Sequence, residues 1–284
     1  MTSPDRSRLT IFISILVVFA VGLHIVSRII EVSPIALAPA YMFSPMVAGL
    51  VVCLRQDIPL SAVGLRIGNI RWLTVAVVGA LPLVGLTLLL AVTVPGVGFD
   101  PTVNPTPGIN LPSGVGGVLA TFGLMLGLGA TVNAIFAFGE EFGWRGYLLW
   151  ELAPWGFWKA SFAIGALWGV WHAPVIVAGY NYPSFPVIGV VAMTIACLSF
   201  SPVYTYLVVR AESVIAAALL HGVFNGSAGI VVAYAITDTA ALGELVASPV
   251  GAAGVLAFGL AAIGIALIGS PSLTREFADA GDAF

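Results

Sequence analysis

The sequence predicts an all-α protein, a polytopic membrane bundle with eight transmembrane helices. The 284-residue chain is 60% hydrophobic and only 8% charged, and its mean hydropathy is +1.08. Apolar runs of about 18 or more residues recur along its whole length, and a run of this length can cross a bilayer as a helix. The stretches between these runs are short. We therefore expect a single integral-membrane domain over residues 1–284, placed in the cell membrane as a multi-pass protein.

The spans follow one another in a simple order. The first comes after Arg6 and Arg8, and its apolar run is too long for that of a cleaved signal peptide. Prolines bound most of the later spans, as expected where helices begin or end. The longest connection, Pro95 to Ser113, is rich in Pro, Gly and Asn and predicts an ordered external loop. The predicted spans are about 9–30, 35–54, 72–94, 115–139, 159–178, 186–208, 213–236 and 249–269.

The fourth span is the one whose end is hardest to place. Apolar, helix-compatible sequence continues past residue 139 through Glu140 to Leu152, which is longer than a bilayer requires. Either the helix is long and tilted, or Gly127 and Gly129 mark a break. We favour the long helix, which carries the glutamates onward toward the cytoplasm.

The basic residues predict the orientation. Of the ten arginines and lysines, nine fall before the first span, after an even-numbered span or at the C-terminal end, and Arg28 is the exception. Because cytoplasmic loops carry an excess of Arg and Lys, this pattern places both termini in the cytoplasm. An odd number of spans would scatter the charges over both sides, so the pattern also favours eight.

Composition argues against some partners. The sequence has no basic patch, so we expect no nucleic-acid partner. Cys53 and Cys197 both lie in apolar segments, where we expect them to pack as small hydrophobic side chains instead of forming a bridge or binding metal.

Acidic and imidazole side chains inside apolar spans are the strongest functional signal. A charged group in a membrane helix is costly, so its presence needs a reason. At a rise of about 1.5 Å per residue, Glu140, His172 and His221 lie roughly 14–20 Å from the cytoplasmic ends of three different spans. One acid and two imidazoles at comparable depth predict a shared site.

Spacing within each helix predicts which side chains act together. Glu141 and Arg145 are four residues apart and can pair, while Glu140 is rotated by about 100° and can point into a wet cavity. His221 and Asn225 are also four residues apart and share a helix face. Taken singly, the first pair can be purely structural, and the second can be a polar contact between helices.

These residue types fit amide hydrolysis, which needs an activated water, oxyanion donors and a proton for the leaving amine. A carboxylate in apolar surroundings is a stronger base than one in water, so Glu140 with His172 could deprotonate water. His221 and Asn225 would then donate to the oxyanion. Alternatively, Glu140, His172 and His221 form a ligand set for a catalytic metal such as zinc, with one position left for water. The sequence leaves both mechanisms open, and no cofactor is certain.

Three motifs resemble those of the CAAX protease and bacteriocin-processing (CPBP) family of intramembrane proteases. The segment from Glu140 to Leu149 resembles its EExxxR motif, Trp168 to His172 resembles FxxxH with Trp in place of Phe, and His221 to Asn225 matches HxxxN. The resemblance spans roughly residues 133–227. It implies an eight-helix core related to the type II CAAX prenyl endopeptidase.

The resemblance also implies roles for the motif residues. It places Glu140, His172, His221 and Asn225 in the catalytic positions, within a core of about residues 115–236. Glu141 and Arg145 are supporting residues. The family itself is described both as metal-dependent and as glutamate-dependent.

The predicted function is an intramembrane endopeptidase that cleaves near the cytoplasmic membrane face. Water would reach Glu140 through a cavity open to the cytoplasm, and substrate would enter from there or laterally between helices. Its partners would be the bilayer and a peptide or membrane-anchored protein substrate, with or without a lipid group. One alternative is a non-catalytic immunity, chaperone or scaffold protein that keeps the motifs for structure. A proton-coupled transporter is less favoured, because the two halves show no internal repeat.

Overall fold

The computed structural model describes residues 3–106, 109–112 and 114–277. The extreme ends of the chain and part of the predicted loop at Pro95–Ser113 lie outside the described residues. Within these ranges, eight helices are long and apolar enough to cross a bilayer, which confirms the predicted fold class. They are α1 (Arg6–Ile29), α2 (Pro34–Arg55), α3 (Ile70–Val92), α4 (Gly114–Trp155), α5 (Phe157–Val177), α6 (Pro186–Ala211), α7 (Val214–Tyr234) and α8 (Leu242–Ile268).

Contacts between the segments that join the helices define one end of the bundle, which we call the terminal face. It comprises residues 3–5, 56–69, 156, 212–213 and 269–277. Here Arg66 Nε donates to the carbonyl oxygen of Glu212 at 2.6 Å, and the main-chain N–H of Val214 donates to Gly64 at 2.9 Å. Arg66 Nη2 also reaches the carbonyl oxygen of Glu276 at 2.7 Å. The connections that precede α3, precede α7 and follow α8 therefore meet on the same side.

The opposite end, which we call the loop face, comprises the described parts of 30–33, 93–113, 178–185 and 235–241. Two short strands join there, β1 (Val97–Phe99) and β2 (Ala235–Thr237), in an antiparallel pair. The hydroxyl of Ser184 donates to Glu244 Oε1 at 2.6 Å. Hydropathy did not predict this ribbon, because three-residue strands carry too short a pattern to detect.

Polar side chains fix helix starts at the terminal face. Asp5 accepts hydrogen bonds from the main-chain N–H groups of Ser7 at 2.8 Å and Arg8 at 3.2 Å. Asn69 caps α3 and Ser213 caps α7 in the same manner. Each cap satisfies an N–H group that has no partner within its own helix.

Helix α4 runs on past its predicted end at residue 139 and contains two π-helical segments, Gly129–Asn133 and Phe142–Leu148. The long helix that we favoured is therefore present, and Gly129 begins a π-helical turn instead of a break. A Cβ atom at Gly143 would lie 2.3 Å from the carbonyl oxygen of Pro45 in α2, so only glycine allows this close contact. The glutamate pair sits directly before the second π-helical segment.

The start of α8 differs from the prediction of about residue 249. The helix begins with a π-helical segment, Leu242–Ala247, and resumes as α-helix at Ala252–Ile268. Pro249 therefore lies in an interruption between two helical segments. Hydropathy placed the start at the proline because apolar sequence alone does not distinguish a helix start from an interruption.

Candidate active site

A cavity of about 100 Å³ lies among the helices, and all four predicted catalytic residues line it. Glu140 comes from α4, His172 from α5, and His221 and Asn225 from α7. The three helices therefore bring together the side chains that sequence spacing placed at comparable depth. Aromatic side chains form much of the remaining wall, namely Tyr41, Trp168, Trp171, Tyr180, Phe200, Tyr204 and Phe224.

Glu140 is held by a neighbour on another helix. Its side chain is 3% exposed, and Oε2 accepts a hydrogen bond of 2.7 Å from the indole Nε1–H of Trp168. The indole ring also lies 5.7 Å from the His172 ring and 5.4 Å from the His221 ring, measured between centroids. Trp168 thus contacts the carboxylate and both imidazoles. We expected it only as an aromatic replacement for Phe, so its role as a hydrogen-bond donor was missed.

Glu141 has two partners, one of which sequence spacing predicted. Arg145 Nη1 donates to its two carboxylate oxygens at 3.0 and 3.1 Å, as the four-residue spacing indicated. His221 Nδ1 also donates to Glu141 Oε1, at 2.8 Å. Because a carboxylate only accepts, this bond fixes the proton on Nδ1 and leaves Nε2 of His221 for the cavity. Glu141 therefore orients an imidazole as well as pairing with an arginine.

The buried guanidinium of Arg145 is surrounded on several sides. Its central carbon lies 4.4 Å from the Trp168 ring centroid and 4.7 Å from that of Tyr204. Nη2 donates to Ser201 Oγ at 3.2 Å. These contacts offset part of the cost of removing a charge from water. Tyr204 and Ser201 belong to α6, and no motif in the sequence marked them.

His172 lies where α5 is interrupted before Pro174. The main-chain N–H of His172 donates to the carbonyl oxygen of Gly169 at 3.2 Å. In a regular α-helix it would donate to the carbonyl oxygen of Trp168, which therefore lacks its usual donor. The His172 ring replaces that donor, with Nδ1 donating to the Trp168 oxygen at 2.8 Å. The Nε2 atom is left for the cavity. His172 can therefore donate to a freed carbonyl through Nδ1 and serve the site through Nε2.

Asn225 and His221 differ in what they can donate. Within the described part of the chain the Asn225 side chain makes no hydrogen bond, so its carboxamide N–H₂ is available to a ligand. His221 already uses its Nδ1 proton on Glu141. It donates from Nε2 only as an imidazolium.

The alternative that Glu140, His172 and His221 bind a catalytic metal can be compared with how these side chains are placed. Across the described ranges, no group of three or more His, Cys, Asp or Glu side chains is arranged to hold a metal ion. Glu140, His172 and His221 share a cavity, but as placed they do not form such a ligand set. We therefore assign no chemical step to a metal.

Part of the cavity lining is exposed at the loop face and along α7, where Asn225 is exposed. Every residue from Glu141 to Leu149 is buried, so the packed part of α4 separates the cavity from the terminal face. Tyr180, which is 38% exposed, and the partly exposed Asn181 lie at its rim, in the connection on the loop face.

One comparison with known proteins identifies the region that holds the site. Residues 116–227 match the family described as type II CAAX prenyl endopeptidase Rce1-like. No curated protein matches the chain. The matched region contains all three sequence motifs and every predicted site residue, so the resemblance drawn from those motifs is confirmed. Residues 116–227 are therefore similar to the type II CAAX prenyl endopeptidase Rce1-like family.

Proposed function

We propose that the protein is a glutamate-dependent intramembrane endopeptidase. In this proposal Glu140 and His172 activate water, and His221 and Asn225 stabilise the oxyanion. The observation that carries it is the shared cavity, which receives one carboxylate, two oriented imidazoles and one unengaged carboxamide from three helices. The catalytic core would comprise about residues 115–236 of a single membrane domain. The substrate would be a peptide or a segment of a membrane-anchored protein.

Water activation begins between Glu140 and His172. The Glu140 carboxylate takes a proton from water while the water oxygen attacks the carbonyl carbon of the scissile bond. Because the Nδ1–H of His172 is committed to the Trp168 carbonyl, its Nε2 lone pair accepts the second hydrogen of the water and orients it. When the tetrahedral intermediate collapses, Glu140 passes the proton to the leaving nitrogen. The products are one carboxyl terminus and one amine terminus.

Two side chains of α7 stabilise the oxyanion. Asn225 donates from its carboxamide, and His221 donates from Nε2 as an imidazolium whose charge is balanced by Glu141. Removal of a single oxyanion donor from a hydrolase typically costs about 2.7–4 kcal/mol of transition-state stabilisation. Asn225→Ala is therefore expected to lower kcat by about a hundredfold or more.

The central test is the Glu140→Gln substitution, which preserves size and hydrogen bonding but removes the base. Membranes containing equal amounts of wild-type, Glu140→Gln and Glu244→Gln protein are compared by proteomic mapping of new peptide termini. Glu244 provides the control, because it is a hydrogen-bonded glutamate outside the cavity. We expect termini that appear with wild type and Glu244→Gln and disappear with Glu140→Gln.

Two results would overturn the proposal. A phenotype that survives both Glu140→Gln and His172→Ala in stably inserted protein would favour the non-catalytic immunity or scaffold function. Stoichiometric zinc in purified active protein, with activity lost on chelation and restored by zinc, would replace the glutamate mechanism by a metal-dependent one. Elemental analysis of the active preparation measures this directly.

A further inference from the structure

One face of α6 forms a wall of the candidate active site. Met193, Cys197, Phe200 and Tyr204 line the cavity, and their spacing of four, three and four residues places them on one side of the helix. Tyr204 is the last of the four along the chain. Because helical side chains lean toward the N-terminal end of their helix, its phenol ring leans back toward the other three positions. The hydroxyl at the end of this ring therefore projects along the cavity wall.

The Tyr204 hydroxyl is buried without a hydrogen-bond partner among the described residues, and the side chain is 0% exposed. A buried hydroxyl that makes no hydrogen bond destabilises a folded protein, so such a group needs an explanation. The hydroxyls of Tyr147, Ser161, Thr205 and Ser227 are also buried without a partner, but none of these residues lines the cavity. Within this set, Tyr204 is the residue that can bond to a molecule entering the cavity.

The contacts of the Tyr204 ring place it beside the proposed oxyanion donors. Its centroid lies 5.7 Å from that of His221, and the two ring planes meet at 77°. The central carbon of the Arg145 guanidinium lies 4.7 Å from the same centroid. Across the described residues, the aromatic rings in contact with His172 are those of Trp168 and Trp171, and Tyr204 is not among them. Tyr204 therefore neighbours the oxyanion side of the site and not the side where His172 would hold water.

We propose that Tyr204 is a further catalytic residue, whose hydroxyl donates a hydrogen bond to the oxyanion beside Asn225 and His221. The assignment rests on the proposed endopeptidase function. The carbonyl oxygen of the substrate would accept this bond, which strengthens as the oxygen gains negative charge in the tetrahedral intermediate. The proton stays on the phenol throughout. Unlike His221, which donates from Nε2 only as an imidazolium, the phenol donates in its neutral form.

The Tyr204→Phe substitution removes the hydroxyl and keeps the ring that contacts Arg145 and His221. The assay is cleavage of a peptide that spans a site found by mapping new termini. We expect kcat to fall by about tenfold or more with little change in KM, because an oxyanion donor acts mainly in the transition state. The Tm in detergent should not fall, since the hydroxyl has no partner to lose.

Tyr147→Phe is the matched control. It removes a phenol hydroxyl of α4 that is likewise buried and unpartnered but lies outside the cavity lining. We expect its kcat to match that of wild type. Three results would each overturn the assignment of Tyr204: a fall in kcat of less than about tenfold for Tyr204→Phe, an equal fall in both variants, or a lower Tm for Tyr204→Phe, which would show a structural role.

A peptide phosphinate with the sequence of the cleaved peptide supplies a readout that does not depend on turnover. Its anionic tetrahedral centre imitates the intermediate, so Tyr204→Phe should weaken phosphinate binding by about the factor by which it lowers kcat/KM. Tyr147→Phe should bind the phosphinate as wild type does. An unchanged phosphinate affinity in Tyr204→Phe would overturn the oxyanion assignment even if kcat falls.

Failure of the endopeptidase function would look different from failure of this assignment. Termini that persist in Glu140→Gln would overturn the proposed function and the role of Tyr204 together. Termini that depend on Glu140 but form at the wild-type rate in Tyr204→Phe would overturn only the role of Tyr204.

Discussion

At the scale of single residues, the two adjacent glutamates have different surroundings. Glu140 faces the cavity and accepts a hydrogen bond from an indole, whereas Glu141 is enclosed by an arginine and an imidazole. A rotation of about 100° between consecutive helical positions is enough to separate them in this way. Sequence spacing predicted that their roles would differ. It did not reveal the partners from other helices, because those depend on how each helix is rotated in the bundle.

Substitution of Glu141 by Gln should therefore reduce stability as well as activity. It leaves the charge of Arg145 buried without a counter-charge, and breaking a buried ion pair typically costs about 3–5 kcal/mol. We expect a clearly lower Tm in detergent for Glu141→Gln and a Tm near that of wild type for Glu140→Gln. Equal Tm values for the two variants would contradict this division of roles.

Trp168 offers a separate prediction, because Phe is the residue usual in the motif that it resembles. Trp168→Phe keeps an aromatic ring against Arg145 and both imidazoles but removes the N–H that holds Glu140. A hydrogen bond to a charged group is worth about 1.5–3 kcal/mol, so we expect kcat to fall by about tenfold or more.

The Trp168→Phe effect should appear in kcat with little change in KM, because Trp168 positions the base. Trp155→Phe, at an exposed tryptophan that ends α4 beside the terminal face, is the control and should match wild type. An unchanged kcat for Trp168→Phe would show that the hydrogen bond is dispensable.

At the scale of helices, hydropathy was sufficient to count and order the spans, because each needs an apolar run of bilayer length. It did not locate the π-helical turns of α4 or the interruption of α8. These features depend on contacts between helices, such as the approach of Gly143 to Pro45, and not on the polarity of the sequence. The site residues could be predicted because they are rare polar types in apolar helices. Tyr41 and Tyr204 could not, since buried aromatics are common in any bundle.

Gly143→Ala tests the close packing of α4 on α2. Its Cβ would lie 2.3 Å from the Pro45 carbonyl oxygen, so α2 must move away and take Tyr41 of the cavity wall with it. We expect a lower Tm and reduced proteolysis. Gly123→Ala in the same helix is the matched control, because a Cβ there meets no atom within 4 Å. Loss of stability in both variants would point to helix propensity or insertion instead of this contact.

At the scale of the whole molecule, both ends of the described chain attach to the end of α4. The buried Glu151 accepts hydrogen bonds from the main-chain N–H of Asp5 at 2.7 Å, from Arg8 at 3.4 Å and from Arg275 at 3.2 Å. The Trp150 ring lies under the guanidinium groups of both arginines. Sequence analysis missed this cluster, because its partners are more than a hundred residues apart in the chain.

Glu151→Gln should release the two terminal segments while leaving the helices inserted. Loss of the central carboxylate removes the negative charge that the two arginines share, and we expect faster limited proteolysis within residues 269–277. Glu276→Gln, at an exposed glutamate of the same segment, is the control and should be cleaved at the wild-type rate. Identical cleavage rates for the two variants would show that Glu151 does not hold the segment.

The β1–β2 ribbon has a mechanical consequence for α7. The strand that follows this helix is paired with β1 at three positions, and the main-chain N–H of Asp100 donates to Tyr234 at 3.1 Å. At the other end of α7, Val214 is bonded to Gly64. Main-chain bonds thus anchor α7 at both extremities and resist its turning about its long axis. The backbone therefore sets the direction in which His221 and Asn225 face a reacting carbonyl. Replacing Val232, an exposed side chain of α7 outside the cavity lining, should leave turnover unaltered.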